Sequence, residues 1–229
     1  MKLLHYGLQR SGTNILESLL KKKYRVQFLN KNKDGLNPER DSPLHKHFRL
    51  YDEKDIIPEP QFRNEYKIAS FNDFEKLLIV VPDYYLIISK DPYSWFLSYT
   101  DWARKCDWPP VPYHYIMEYN LFYAKWLEFS KQTTKILFVR YIDLLRDPDG
   151  ELNRLELSMH LKRKFLFPLR SSVIFKVRQS GEFSIDRRSY YLSEQYLQLY
   201  TKEGLQEIND LIKSDIIAGL GYPRKDKDK

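Results

Sequence analysis

The sequence holds a single cysteine, Cys106, which excludes an intrachain disulfide framework and fits a reducing compartment. It has no apolar run near the roughly 18–20 residues that a membrane span needs. Its start, Met1-Lys2-Leu3-Leu4-His5-Tyr6, is too short and polar for a signal peptide, so a cytoplasmic protein is expected. No internal repeat and no low-complexity linker divide the chain. One domain over residues 1–223 is therefore expected, with 224–229 as a solvated, disordered basic tail.

What is present suits a globular fold. A length of 229 residues, a hydrophobic fraction of 42% and an aromatic fraction of 15% allow a sizeable core. The excess of 38 Lys+Arg over 31 Asp+Glu gives a net charge of +7. A positive field concentrates anionic ligands, whether nucleotides, nucleic acids or acidic glycans, without choosing among them.

Strand-like runs alternate with helical patterns, which predicts an α/β fold with a central, mainly parallel sheet flanked by helices. Strands are expected at Leu3–Gly7, Arg25–Leu29, His45–Leu50, Tyr84–Ser89 and Ile136–Val139. Helices are expected from Thr13 to Lys22, after Pro92 at a first helical position, and from Tyr113 to Ser130. The last of these carries an aromatic stripe that reads as packing against the sheet, or alternatively as the lining of an acceptor pocket. Asn30–Pro43 and Arg178–Arg188 read as loops, and Tyr190–Ala218 as helical.

The segment Gly7-Leu8-Gln9-Arg10-Ser11-Gly12-Thr13-Asn14 follows a strand and opens a helix. Backbone N–H groups at such a junction suit a phosphate. Gly7 and Gly12 have P-loop spacing, but Thr13 and Asn14 stand where a nucleoside-triphosphate loop has Lys and Ser or Thr. The cation that spans β- and γ-phosphates and the hydroxyl that holds Mg²⁺ are both missing from these positions. Arg10 offers a cation with a planar donor fork instead.

Arg10-Ser11-Gly12-Thr13-Asn14 resembles the 5′-phosphosulfate loop of the sulfotransferase family, whose donor is 3′-phosphoadenosine 5′-phosphosulfate (PAPS). A second segment, Lys90-Asp91-Pro92 followed by Ser98, resembles the family's 3′-phosphate motif, with Lys90 in place of the usual Arg. That change keeps the charge and loses the bidentate fork. Phe138-Val139-Arg140-Tyr141-Ile142-Asp143 resembles the strand end whose Tyr lies near the adenine, which gives Tyr141 a base-contact role and leaves Asp143 structural. The resemblance spans about residues 1–150. It implies a P-loop NTPase-like three-layer sandwich and donor contacts from Gly7, Arg10, Ser11, Gly12, Thr13, Asn14, Lys90, Ser98 and Tyr141. The family's basic C-terminal loop has no clear counterpart, and Lys176, Arg178, Arg187 and Arg188 are candidate replacements.

Sulfuryl transfer to a hydroxyl needs a base, and histidine titrates near working pH. By the resemblance, the base lies between the two motifs beside a Lys, which favours His47 after Lys46, with His45 as the alternative. Arg10 joins them as the catalytic cation. On an alternating strand both rings would share a face. Glu17 and Asp41 remain carboxylate alternatives. The His-x-His pair has no third ligand at recognisable spacing, so no metal is expected.

The acceptor class expected is a hydroxyl-bearing carbohydrate or small molecule. A degenerate P-loop kinase or nucleotide phosphotransferase is the competing enzyme reading. A non-catalytic nucleotide or nucleic-acid binder is the third, though no nucleic-acid module is recognisable.

Overall fold

The computed structural model describes residues 1–30, 38–39, 42–50, 68–164 and 185–226, with only the backbone of 185–187. Asp41, Lys176 and Arg178, the Arg187 side chain, and most of the Asn30–Pro43 and Arg178–Arg188 segments lie outside the described residues.

Four strands form the sheet among the described residues: β1 (Lys2–Tyr6), β2 (Gln27–Phe28), β3 (Tyr84–Ser89) and β4 (Ile136–Arg140). All pair in parallel, in the order β2-β1-β3-β4. The helices are α1 (Thr13–Lys23), α2 (Phe71–Lys76), α3 (Pro92–Lys105), α4 (Ile116–Ser130), α5 (Tyr141–Arg146), α6 (Pro148–Met159), α7 (Ile185–Leu192), α8 (Lys202–Leu211) and α9 (Ser214–Gly219). None of the helices described is long and apolar enough to cross a membrane.

Strand residues alternate between two buried faces, as expected for a parallel sheet covered on both sides. Leu4, Tyr6, Tyr85, Ile87 and Ile136 pack with aromatic residues of α2, α3 and α4 and apolar residues of α8 and α9. Leu3, Leu86, Ile88 and Val139 face the other way, onto Leu16, Leu19 and Leu20 of α1 and Leu152, Leu155 and Met159 of α6. The aromatic stripe of α4 is thus core: Tyr119, Phe122, Tyr123, Trp126 and Phe129 are fully buried.

Four expectations change. The second strand shrinks to Gln27–Phe28. The segment 45–50 is not a strand: residues 45–47 turn, with His45 N–H on the Ser42 carbonyl and Phe48 N–H on that of His45, and 48–50 follow without regular structure. Residues 185–188, expected in a loop, open α7. The expected solvated tail also begins later than Arg224, since Lys225 N–H donates to the Tyr93 hydroxyl and its ammonium pairs with Glu194. Residues 227–229 are outside the described part.

His5 occupies a core position on the α1 side of β1, where alternation calls for an apolar residue. Neither ring nitrogen has a hydrogen-bond partner, and its Nε2 lies 3.8 Å from a Glu17 carboxylate oxygen. Burial, opposed in part by Glu17, lowers its pKa to about 4. The unfolded chain therefore takes up a proton below about pH 6.5 that the folded chain refuses. Stability should be full above pH 6.5 and fall by up to about 3 kcal/mol as the solution is acidified towards pH 4. Denaturant melts across this window should show the slope, and His5→Leu should reduce it. An unchanged slope in His5→Leu would assign the loss to other groups.

Candidate functional site

The chain leaves β1 towards β2 on one side and crosses over to β3 on the other. The topological switch therefore falls between β1 and β3, where ligands bind at the carboxyl ends of strands in open α/β sheets. The two candidate motifs follow these two strands.

After β1 the chain turns through Arg10 at φ 71° and Gly12 at φ 100°, both in the left-handed region. Gly12 also meets a steric demand, since a Cβ there would stand 2.5 Å from the Tyr141 ring. At Gly7 an added Cβ would come within 2.7 Å of the Ile88 carbonyl oxygen, so this turn lies flat on β3. Thr13 and Asn14 open α1, and their N–H groups, with that of Gly12, have no acceptor among the described residues. Ser11 is the exception within the loop. Its N–H goes to the Leu8 carbonyl and its hydroxyl is buried beside Gly7, so it does not face outward. The Arg10 guanidinium lies 5.0 Å above the Trp102 ring.

The turn segment 43–49 lies against this loop. Gly7 N–H donates to the Lys46 carbonyl, and the Gly7 carbonyl accepts from His47 Nδ1 at 2.6 Å. A carbonyl only accepts, so Nδ1 carries the proton and Nε2 keeps its lone pair. The half-buried His47 has its pKa held well below 6.5 by burial, with the Lys46, His45 and Arg49 charges lowering it further against the Gly7 hydrogen bond. His45 is fixed in the opposite tautomer, because its Nδ1 accepts from the His47 backbone N–H. The two rings stand edge to face at 5.4 Å rather than side by side on a strand. Lys46 reaches Asn14 Oδ1 at 2.6 Å, which brings an ammonium to the first turn of α1 where the sequence itself has Thr13. Glu17 sits on α1 with its carboxylate on Lys21 at 2.6 Å, an ion pair rather than a poised base.

After β3, Lys90 Nζ donates to Ser98 Oγ at 2.7 Å across the first turns of α3, so the two halves of the second motif meet. Asp91 caps this helix through the Ser94 N–H, with Pro92 at its start. Three tyrosine hydroxyls hold the strand end: Tyr123 on the Ile88 carbonyl, Tyr222 on that of Ser89 and Tyr119 on that of Lys90. A cavity of about 150 Å³ opens beside Lys90, lined also by Tyr141, Tyr191, Arg140 and Arg146. It has room for several waters or a group of phosphate size. Asp143 pairs with Arg140 at 2.6 Å and is structural. Arg188 donates to the Arg146 carbonyl, so it ties α7 to α5.

Several residues that shape the loop carried no motif signal. Arg49 donates to the Gln9 side chain and to Glu118, each at 2.8 Å, while Trp95 Nε1 donates to the Gln9 carbonyl at 2.9 Å. Tyr99 and Tyr113 donate to the same carboxylate. A buried Arg or Glu in a sequence looks the same as an exposed one until its partner is known. Among the described residues no cluster of His, Cys, Asp and Glu has the makings of a metal site.

No protein-family model matches the chain, and no curated protein matches it.

Arg49 and Glu118 are 5% and 0% exposed, so removing one partner strands the other charge out of water. Glu118→Ala should lower stability by about 3–5 kcal/mol in denaturant titrations. Arg49→Met combined with Glu118→Leu should cost less than the sum of the two single changes. Strict additivity would show the pair is not coupled.

Proposed function

We propose that the chain is a PAPS-dependent sulfotransferase of the P-loop type, transferring a sulfuryl group from 3′-phosphoadenosine 5′-phosphosulfate to an acceptor hydroxyl. The acceptor class is a hydroxyl-bearing carbohydrate or small molecule; the basic charge permits an anionic one without choosing between them. The observation that carries the reading is the hydrogen bond from His47 to the first glycine of the phosphate loop. It ties a neutral, base-competent imidazole to the loop that would hold the donor.

In this reading the acceptor oxygen attacks sulfur in line. The new O–S bond forms as the S–O bond to the donor phosphate breaks, and the electron pair of that bond leaves on the phosphate. His47 Nε2 takes the hydroxyl proton. The Gly12, Thr13 and Asn14 amides, with Arg10 and Lys46, stabilise the charge that grows on the leaving phosphate. Lys90 and Ser98 hold the 3′-phosphate, and Tyr141, packed on Gly12, borders the nucleotide. No residue is assigned to a metal.

Lys46 on Asn14 also gives the phosphotransferase reading one support, since a P-loop kinase needs an ammonium near that turn. The ligand decides between them. Adenosine 3′,5′-bisphosphate should raise the melting temperature more than ATP with Mg²⁺ does; at a hundredfold excess over its Kd it should stabilise the fold by about 2.7 kcal/mol relative to the free protein. Stronger stabilisation by ATP with Mg²⁺ would favour the kinase.

His47→Ala should keep donor affinity while transfer to a hydroxyl acceptor falls by about 10²–10⁴-fold. His45→Ala should cost much less. Because the His47 pKa is held below 6.5, kcat/KM should stay level as pH falls through 6.5 and decline only below it. A limb at or above pH 7 would point to another base.

A further inference from the structure

Arg10 stands at the tip of the turn between β1 and α1, where the Ser11 N–H donates to the Leu8 carbonyl. Its φ of 71° lies in the left-handed region, at the third position of a turn where glycine or asparagine normally stands. A long side chain held on such a backbone points to a use for that side chain. Among the described residues, its guanidinium has no carboxylate partner and no hydrogen-bond acceptor. What it has is the Trp102 ring, 5.0 Å away.

Trp102 reaches the loop because α3 runs along it. Trp95, Tyr99 and Trp102 follow one another at helical spacing, so they share one face of α3. Trp95 is fully buried and donates from Nε1 to the Gln9 carbonyl at 2.9 Å. Tyr99 stacks on Trp95 at 4.7 Å. Trp102, farther along, is 37% exposed and meets the next residue of the loop. The adjacent Asp101 carboxylate is spent on Arg104 and Lys105, at 2.8 and 2.6 Å. Burial lowers the Lys90 pKa and the Arg10 charge lowers it further, so the cations of the two motifs lie within one another's field.

We propose that Trp102 is a positioning residue for Arg10, holding the guanidinium over its ring face so that the donor fork meets the 5′-phosphosulfate end of the donor. The inference rests on the sulfotransferase reading and deepens it. A ring face attracts the cation without accepting hydrogen bonds in the plane of the guanidinium, so the fork stays available to an anion. A carboxylate in the same place would take the fork and cancel the charge. Confining the long side chain before the ligand arrives also reduces the rotamer freedom lost on binding.

The test is calorimetry on the full chain with adenosine 3′,5′-bisphosphate and with adenosine 3′-phosphate, which lacks the 5′-phosphate. The native protein should bind the bisphosphate more tightly. Trp102→Leu should weaken bisphosphate binding by about two- to fivefold, the worth of an exposed cation–π contact, and leave adenosine 3′-phosphate binding unchanged. That unchanged affinity also shows that the variant is folded. Trp102→Phe, which keeps a ring face, should lose less. In an Arg10→Gly background, where glycine suits the φ, Trp102→Leu should cost nothing further. An equal cost with and without the Arg10 side chain, or no cost with it, would show that Trp102 does not act through Arg10, although the sulfotransferase reading stands. Equal weakening for both nucleotides would make Trp102 structural only. No preference by the native protein for the bisphosphate would overturn the inference and the sulfotransferase reading together.

Discussion

Gly7 is gripped at both of its backbone polar groups by one short segment. Its N–H donates to the Lys46 carbonyl and its carbonyl accepts from the His47 ring. The rest of the candidate site hangs on this clasp. It fixes where the loop leaves β1, sets the tautomer of His47, and carries Lys46 to Asn14. It also needs a glycine, because Ile88 of the neighbouring strand fills the space a side chain would use. A backbone contact thus couples a candidate base to a candidate anion cradle, and neither can shift without the other.

Around that clasp the fold places charge in two ways. Arg49 and Glu118 neutralise each other out of water and serve as a strut under Gln9. Such pairs position more than they stabilise. Lys90 is buried too, and burial lowers its pKa. Its partners are the Ser98 and Tyr191 hydroxyls and the Tyr141 and Tyr191 rings instead of a carboxylate, an arrangement suited to receiving an anion. Tyrosine does much of this work. Tyr119, Tyr123 and Tyr222 satisfy successive carbonyls at the end of β3, where the sheet ladder stops and buried acceptors would otherwise lack donors.

Much of this arrangement was legible in the sequence where local rules apply. The span Tyr84–Ser89 is an unbroken apolar run closed by a proline-started helix, and strand and helix fall where that pattern puts them. The loop from Gly7 to Asn14 was legible from glycine spacing, and the second motif singled out Lys90 and Ser98, which the fold brings into contact. The path of 45–50 was not, because His-Lys-His-Phe-Arg-Leu alternates like a strand while long-range bonds to Gly7 and Gln9 hold it in a turn and irregular backbone. In sequence His47 was favoured over His45 only by the resemblance, through its place after Lys46. Their opposite tautomers arise from two hydrogen bonds that only the folded chain makes. Tyr191 was equally silent, since its partner lies 101 residues away.

The central claim is that burial keeps His47 neutral while the Gly7 carbonyl holds its proton on Nδ1, beside the loop from Gly7 to Asn14. Nitrogen-15 NMR of the histidine rings reads this directly and needs no acceptor. At pH 7 the His47 signals should show a protonated Nδ1 and a bare Nε2, and they should shift when adenosine 3′,5′-bisphosphate is added. An imidazolium, or a neutral ring protonated at Nε2, would contradict the account.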